Sequence, residues 1–441
     1  MAGTPSPGTV STKRTRIAEL AKQAPTMAFT TLSHHITEES LFTAFHRTRQ
    51  DGATGVDGQT AEEYAVNLLS NLQDLLTRAK SGTYRAPPVR RVYIPKGTGT
   101  ETRPIGIPTF EDKVLQRAVA TVLEEVYEQD FYDCSYGFRP GRSAHQALES
   151  LWQGLKAIGG GWVLEVDIQK FFDTLDHARL REFLQRRIRD GVLLRLIGKW
   201  LNAGVLEGGV LTNSDQGTPQ GGVISPLLAN VYLHYVLDEW FEKKVKPRLG
   251  GHALLIRYAD DFVIGFSREE DARRVMEVLP QRFEKYGLKL HPKKTRLVPF
   301  ERPRNGPCPA EGETSAETFD LLGFTHYWGR SRKGFWVVKR QTASNRFSRV
   351  VKKIAQWCRC NRHLPMAEQH TVLSQKLRGH DAYFGITGNY RRLKELRVVV
   401  TEVWRKWLSR RGARPPTWEW VNRLLERLPL PAARVVHSVY T

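Results

Sequence analysis

The stretch "YADDFVIGF", residues 258–266, sets two adjacent aspartates, Asp260 and Asp261, inside an otherwise apolar run. "ALLIR" leads into Tyr258 and "FVIGF" follows Asp261, so the pattern predicts strand, tight turn, strand, with the charges at the turn. An Asp-Asp pair alone is weak evidence, because one or two arise by chance in about 440 residues of ordinary composition. Its setting carries more. Two carboxylates about 4 Å apart repel by about 4 kcal/mol at an effective dielectric near 20. Water can screen that repulsion, or a divalent cation can sit between them. Oxygen ligands that leave room for water and phosphate suit Mg²⁺, and a pair of such ions can serve both oxygens of a phosphoryl transfer. A further carboxylate must then come from elsewhere, and Asp167, ending the apolar run in "VLEVDIQKFFD", is the candidate. On spacing alone, Asp167 and Asp260 read equally well as ordinary strand-end residues.

The bulk composition points toward a polyanion. The chain has 441 residues, 67 Lys and Arg against 46 Asp and Glu, and a net charge of +21. No apolar run approaches the roughly 18 residues of a spanning helix, and no apolar segment follows the basic "STKRTR" as a signal peptide requires. Four cysteines without a zinc-like double pair fit a reducing interior. The composition favours an intracellular nucleic-acid protein with no membrane partner. Between Leu321 and Ala367 there is no acid, while eleven Lys or Arg lie between Arg330 and Arg362. Trp328, Phe335, Trp336, Phe347 and Trp357 are interleaved with them, some as stacking groups and some as core. Arg330, Arg332, Lys333, Lys339, Arg340, Arg346, Arg349, Lys352 and Lys353 are accordingly candidate RNA-binding residues.

Along the chain, residues 1–25 are polar, basic and Pro-bearing and are expected to be disordered. Helical patterns follow in "LFTAFHRTR" and "AEEYAVNLLSNLQDLLTRAKSG", then a strand pair around a Gly/Thr turn in "RRVYIPKGTGTETRPIGIPT". The long helix candidate "FEDKVLQRAVATVLEEVYEQDF" comes next, and strands and helices then alternate to about residue 340. That order predicts an α+β fold with helices on one face of a sheet. Beyond it the pattern is helical and basic.

Seven blocks in order, "RPIGIPTFEDKVLQRAV", "DCSYGFRPGRSAHQAL", "LEVDIQKFFDTLDH", "QGTPQGGVISPLLANVYLH", "RYADDFVIGF", "GLKLHPKKT" and "FDLLGFTHY", resemble successive blocks of reverse transcriptases. The form is similar to the reverse transcriptase/maturases encoded by group II introns, and the likeness covers roughly residues 40–440. It implies a right-hand polymerase of fingers, palm and thumb. Its expected divisions are an N-terminal extension at 26–83, fingers and palm at 84–335, a thumb/maturase region at 336–400 and a basic helical tail at 401–441. It also implies RNA-templated DNA synthesis, with dNTPs, an RNA template, a DNA primer or target and the intron RNA as partners, and two Mg²⁺ as cofactor.

By that resemblance Asp167, Asp260, Asp261 and the Ile168 carbonyl are metal ligands. Phe172 matches the aromatic gate that leaves no room for a 2′-OH, with Phe171 filling the core by alternation. Pro219, Gln220 and Gly221 in "TPQGG" face nucleotide or template. Lys96 and Arg103 grip the triphosphate. Lys294 neutralises or protonates the leaving pyrophosphate, with Lys293 beside it as the alternative. "LLGF", residues 321–324, matches the turn that holds the primer end. No Cys-rich HNH endonuclease motif is visible, as in compact IIC-like members, and Asp381 in "HDAYFG" departs from the family's aromatic-rich run. Two rival readings share these residues: a splicing cofactor with a relic polymerase site, and the same polymerase recruited to bacterial defence. Nucleotide cyclases also pair acids in a palm, but need neither "TPQGG" nor a basic thumb.

Overall fold

The computed structural model describes residues 7–95, 102–207, 210–212, 221–303, 317–331, 333–412 and 416–438, with side chains from residue 14 onward. Lys96, Pro219, Gln220 and Arg332 lie outside the described residues. The chain divides into two compact units, each assembled from separated stretches. The first comprises Met1–Ala147, Val166–Phe262 and Arg273–Arg296; the second comprises Leu148–Glu165, Val263–Ala272 and Leu297–Thr441. The expected mixture of helix and sheet is present, and so is the strand pair around the acids.

In the first unit the helix Phe110–Asp130 is the central post. Thr109 caps it by accepting from the Asp112 N–H at 3.3 Å. Val114, Leu115, Val119, Val122, Leu123, Val126 and Tyr127 are buried, so apolar residues surround much of its circumference. The helices Pro7–Gln23 and Glu38–Arg47 pack against it. Residues 7–23, within the stretch expected to be disordered, are thus helical. Ile17 and Ala21, one helical turn apart, are buried, and Arg187 donates to the carbonyls of Ala21, Ala24 and Met27. Composition hid a short apolar stripe that the central helix covers.

The strands Val89–Pro95 and Thr102–Ile107 form the expected antiparallel hairpin, with Ile94 opposite Arg103. Val205–Glu207 adds to it in parallel. The run "VLEVDIQKFF" is not one strand: Gly160–Val166 ends before Asp167, Ile168–Gln169 pairs antiparallel with Lys289–Leu290, and Phe171–Thr174 is a helical turn. Lys170, at φ +43°, makes the change of direction. Strand pairing gives a sheet in the order Arg296–Glu301, Gly160–Val166, Asp261–Phe266, Ala253–Tyr258.

In the second unit Phe319–Leu321, Phe324–Arg330 and Trp336–Thr342 form an antiparallel sheet. Leu322 and Gly323 connect the first pair with φ of +51° and +82°, the two-residue turn whose twist suits a hairpin. The boundary expected at 335/336 falls at this sheet, where Arg330 pairs with Trp336, so the strands on both sides of it belong together. Helices Ser344–Cys360, Met366–Phe384 and Tyr390–Leu408 enclose a core of Ile354, Cys358, Leu373, Leu377, Leu396, Val400 and Trp404.

Asp381 acquires a reason here. Its Oδ2 accepts from the Arg397 guanidinium and, at 3.0 Å, from the Arg434 backbone N–H, tying two helices to the extended C-terminal segment. Both side chains are largely buried. Asp381→Ala leaves Arg397 unpaired and is expected to cost about 3 kcal/mol. Urea unfolding of the variant beside wild type measures it.

Candidate active site

The YADD turn is fixed from beneath by one buried cation. Arg257 and Asp238 are both fully buried, and the guanidinium grips the carboxylate with two bonds, Nε at 2.8 Å and Nη2 at 2.5 Å. The remaining donors reach Asn230 Oδ1 at 2.9 Å, Ser135 Oγ at 2.7 Å and the carbonyl of Ala259 at 3.0 Å. Ala259 is left-handed at φ +58°, an unfavourable state for a residue with a Cβ. Arg257 therefore bonds the very peptide whose conformation turns Asp260 and Asp261 outward. On the other side Gly137 lies so close that a Cβ there would meet the Ala259 nitrogen at 2.3 Å. The Gly137 carbonyl accepts from Asn230 Nδ2 at 2.7 Å.

Asp167, Asp260, Asp261, Ile168 and Arg103 line one cavity of about 650 Å³, with Lys294 and His291 in its wall. The Ile168–Leu290 pairing explains how Lys294 arrives. "LKLHPKKT" runs back along the segment after Asp167, His291 N–H donates to the Asp167 carbonyl at 2.8 Å, and Lys294 Nζ stands 2.8 Å from Asp167 Oδ2. Of the two lysines left open by the sequence, Lys294 is thus the one placed on the acids. Burial, opposed by Asp260's own backbone hydrogen bonding and by Arg103, with the Asp167 charge adding to it, raises the Asp260 carboxyl above the usual carboxylate range.

The donors present are carboxylate oxygens and one backbone carbonyl, the hard set that Mg²⁺ takes. Among the described residues no three His, Cys, Asp or Glu side chains already stand close enough to hold an ion. The Lys294 ammonium instead supplies a positive charge at Asp167. The residues fit a divalent cation in chemistry, and Asp167 would exchange its lysine partner to bind one.

A family model described as reverse transcriptase (RNA-dependent DNA polymerase) matches residues 94–326. The chain belongs to the reverse transcriptase family. Its architecture is the right-hand polymerase fold of that family, whose members generally use Mg²⁺. It is 38% identical over 238 residues to Protein YkfC of Escherichia coli, covering 48% of this chain and 62% of that protein. It is 43% identical over 181 residues to the group II intron-encoded protein LtrA of Lactococcus lactis, covering 41% and 29% respectively. A 91 kDa protein in the cob intron of Schizosaccharomyces pombe is 39% identical over 188 residues, covering 43% and 22%. The chain thus spans less than two thirds of the length of these relatives.

Other expected site residues of this reverse-transcriptase domain fall as follows. Phe171 is buried, and its ring meets the half-buried Phe172 edge-on at 5.3 Å; the cavity wall includes Phe171, whereas Phe172 is not among its lining residues. Gly221, at φ +120°, makes its close approach to protein: a Cβ there would meet the Gly106 carbonyl at 2.5 Å.

The basic stretch divides by periodicity. Arg330, Lys333, Arg346, Lys352 and Lys353 are exposed, and Lys339 and Arg349 are half-buried. Arg340 does not belong with them. It sits on the inward register of Trp336–Thr342, buried, donating to the Leu148 carbonyl at 3.1 Å with Glu149 at 3.7 Å. Trp328 is core, and Phe347 and Trp357 pack on the helical core, whereas Phe335 is 64% exposed. Among the described residues no helix is long and apolar enough to cross a membrane.

Sequence reading passed over Arg257, Asp238 and Asn230. Arg257→Ala strands the Asp238 charge and is expected to lower stability by about 3–5 kcal/mol, whereas Arg257→Met with Asp238→Leu should regain most of it, as chemical denaturation will read. Asp260→Asn, measured in chelator, should stabilise the protein. A raised folded-state pKa means stability falls as pH climbs past the ordinary aspartate range, so the gain appears above that range and vanishes below it.

Proposed function

We propose that the chain is an RNA-directed DNA polymerase that joins nucleotides by two-metal nucleotidyl transfer and binds a group II intron RNA to assist its splicing and retrohoming. The observation that carries this reading is the single cavity shared by Asp167, Asp260, Asp261, Arg103 and Lys294 within a reverse-transcriptase domain. Divalent cations, when bound, supply charge stabilisation at the attacking and leaving oxygens. Asp167, Asp260 and Asp261, with the Ile168 carbonyl, would hold them. The Arg103 guanidinium, on the hairpin facing these acids, offsets the triphosphate's charge. Lys294 is assigned to give its proton to the departing pyrophosphate oxygen; its ammonium, 2.8 Å from Asp167 Oδ2, would be released toward that oxygen when Asp167 takes up a cation. Phe172, beside Phe171, is assigned as the ring that excludes a ribose 2′-OH. Lys96, Pro219, Gln220 and Gly221 are assigned to the nucleotide and template.

The intron role draws on LtrA, named as a group II intron-encoded protein, and on the protein of the cob intron. Support from this chain is the exposed basic face of helix Ser344–Cys360, opposite Phe347, Val350, Ile354 and Cys358. Such a face neutralises phosphates without reading sequence. We assign the helices from Ser344 to Leu408 to the thumb and maturase region, and the protein to the bacterial cytoplasm beside its nucleic acids.

Primer extension on an RNA template with dNTPs and Mg²⁺, beside Asp260→Ala/Asp261→Ala, tests the polymerase. Extension by wild type alone is expected; tight RNA binding without extension by either would make the protein a splicing cofactor. Changing Arg346, Arg349, Lys352 and Lys353 to Gln should flatten the slope of log affinity against log salt by roughly 0.7–0.9 for each phosphate no longer neutralised.

A further inference from the structure

The loop "SYGFRPGRS", residues 135–143, contains a feature that the chemistry at the acids does not use. Phe138 is 57% exposed, although aromatic rings of that size generally seek cover. Its backbone is left-handed at φ +58°, which a bulky residue adopts only when its surroundings impose it. The surroundings do so on both sides. Arg139 next to it is buried, donating to the Tyr132 and Ser135 carbonyls at 2.8 Å each and pairing with Glu128 at 2.9 Å. Gly137 before it is buried, its carbonyl held by Asn230 and its Cα pressed on the peptide between Tyr258 and Ala259. An exposed ring thus rises from a fixed backbone, one residue away from a backbone contact with the YADD turn.

We propose that Phe138 is a nucleic-acid contact, a ring on a fixed backbone against which the primer–template duplex packs near its growing end. The proposal rests on the polymerase reading. If a nucleic-acid end reacts at Asp260 and Asp261, the duplex must pass beside the turn on which Gly137 leans, and it is the one occupant that reading requires there. A ring at that place offers a flat apolar face to a base or sugar, a contact that tolerates any sequence. Rigidity matters as much as exposure. A backbone already held in place loses little freedom when the duplex arrives, which lowers the ordering cost that a stacking contact must meet.

The test is equilibrium binding of a fluorescent RNA–DNA primer–template to the full-length protein, with wild type, Phe138→Gly, Phe138→Ala and Phe138→Trp. Gly relieves the left-handed backbone, so Phe138→Gly should melt no lower than wild type, and weaker binding cannot be blamed on unfolding. The expected result is about a tenfold rise in Kd for Phe138→Gly and Phe138→Ala, recovered by Phe138→Trp. A Kd within twofold of wild type for Phe138→Gly overturns the proposal, as does a loss in Phe138→Ala that Phe138→Trp fails to recover. Failure of the underlying polymerase reading looks different: wild type itself then extends no primer.

Discussion

The ion pair of Arg257 with Asp238 is the constraint on which the site depends. Two charges taken wholly out of water gain little net stability against an apolar pair of the same volume. What this pair supplies is geometry. A guanidinium has five donors in a fixed plane, and here they reach Asp238, Asn230, Ser135 and the Ala259 carbonyl, drawn from a helix, a loop and the turn itself. A lysine at 257 could not span these directions, because an ammonium on a flexible stem has no planar fork. The left-handed peptide at Ala259 persists because this network and the packing of Gly137 fix it from opposite sides.

Around that fixed turn the remaining charges are arranged by short strands rather than by loops. Pairing of Ile168 with Leu290 brings Lys294 to Asp167 across 127 residues of sequence, and pairing of Ile94 with Arg103 sets a second cation at the cavity. Asp260 bears the electrostatic cost of this convergence. Its half-buried carboxyl feels the Asp167 charge, and Arg103 offsets only part of the penalty. A site held in this state is poised for positive charge, which is the chemistry a triphosphate-handling centre requires.

Much of this was legible in the sequence because each acid ends an apolar run, where period-two alternation stops and a turn begins. Lys294 was legible through its short motif. Arg257 was not, since an arginine at the end of a strand reads as solvated and its partner Asp238 lies on a helix 19 residues away. Arg340 could have been read correctly: Val338, Arg340 and Thr342 share the inward face of one strand, and the count of basic residues masked the alternation. Likewise Phe347, Ile354 and Cys358 trace one helical stripe, so the aromatics there serve the core more than the ligand. The N-terminal helix was missed because buried residues such as Ile17 and Ala21 are set in a polar, basic composition that reads as disordered.

The tie at Asp381 reaches into the order in which the chain can fold. Residues 434–437 lie back along the end of helix Met366–Phe384, where Val436 and His437 donate to the Gly385 carbonyl and Thr387 donates to that of His437. The unit they complete also draws on residues 148–165 and 263–272. A ribosome delivers those stretches long before it delivers residues 434–437. The second unit therefore cannot be completed early in synthesis: Gly160–Val166 meets its strand neighbours once residue 301 has emerged, but the end of helix Met366–Phe384 stays untied until those four residues arrive.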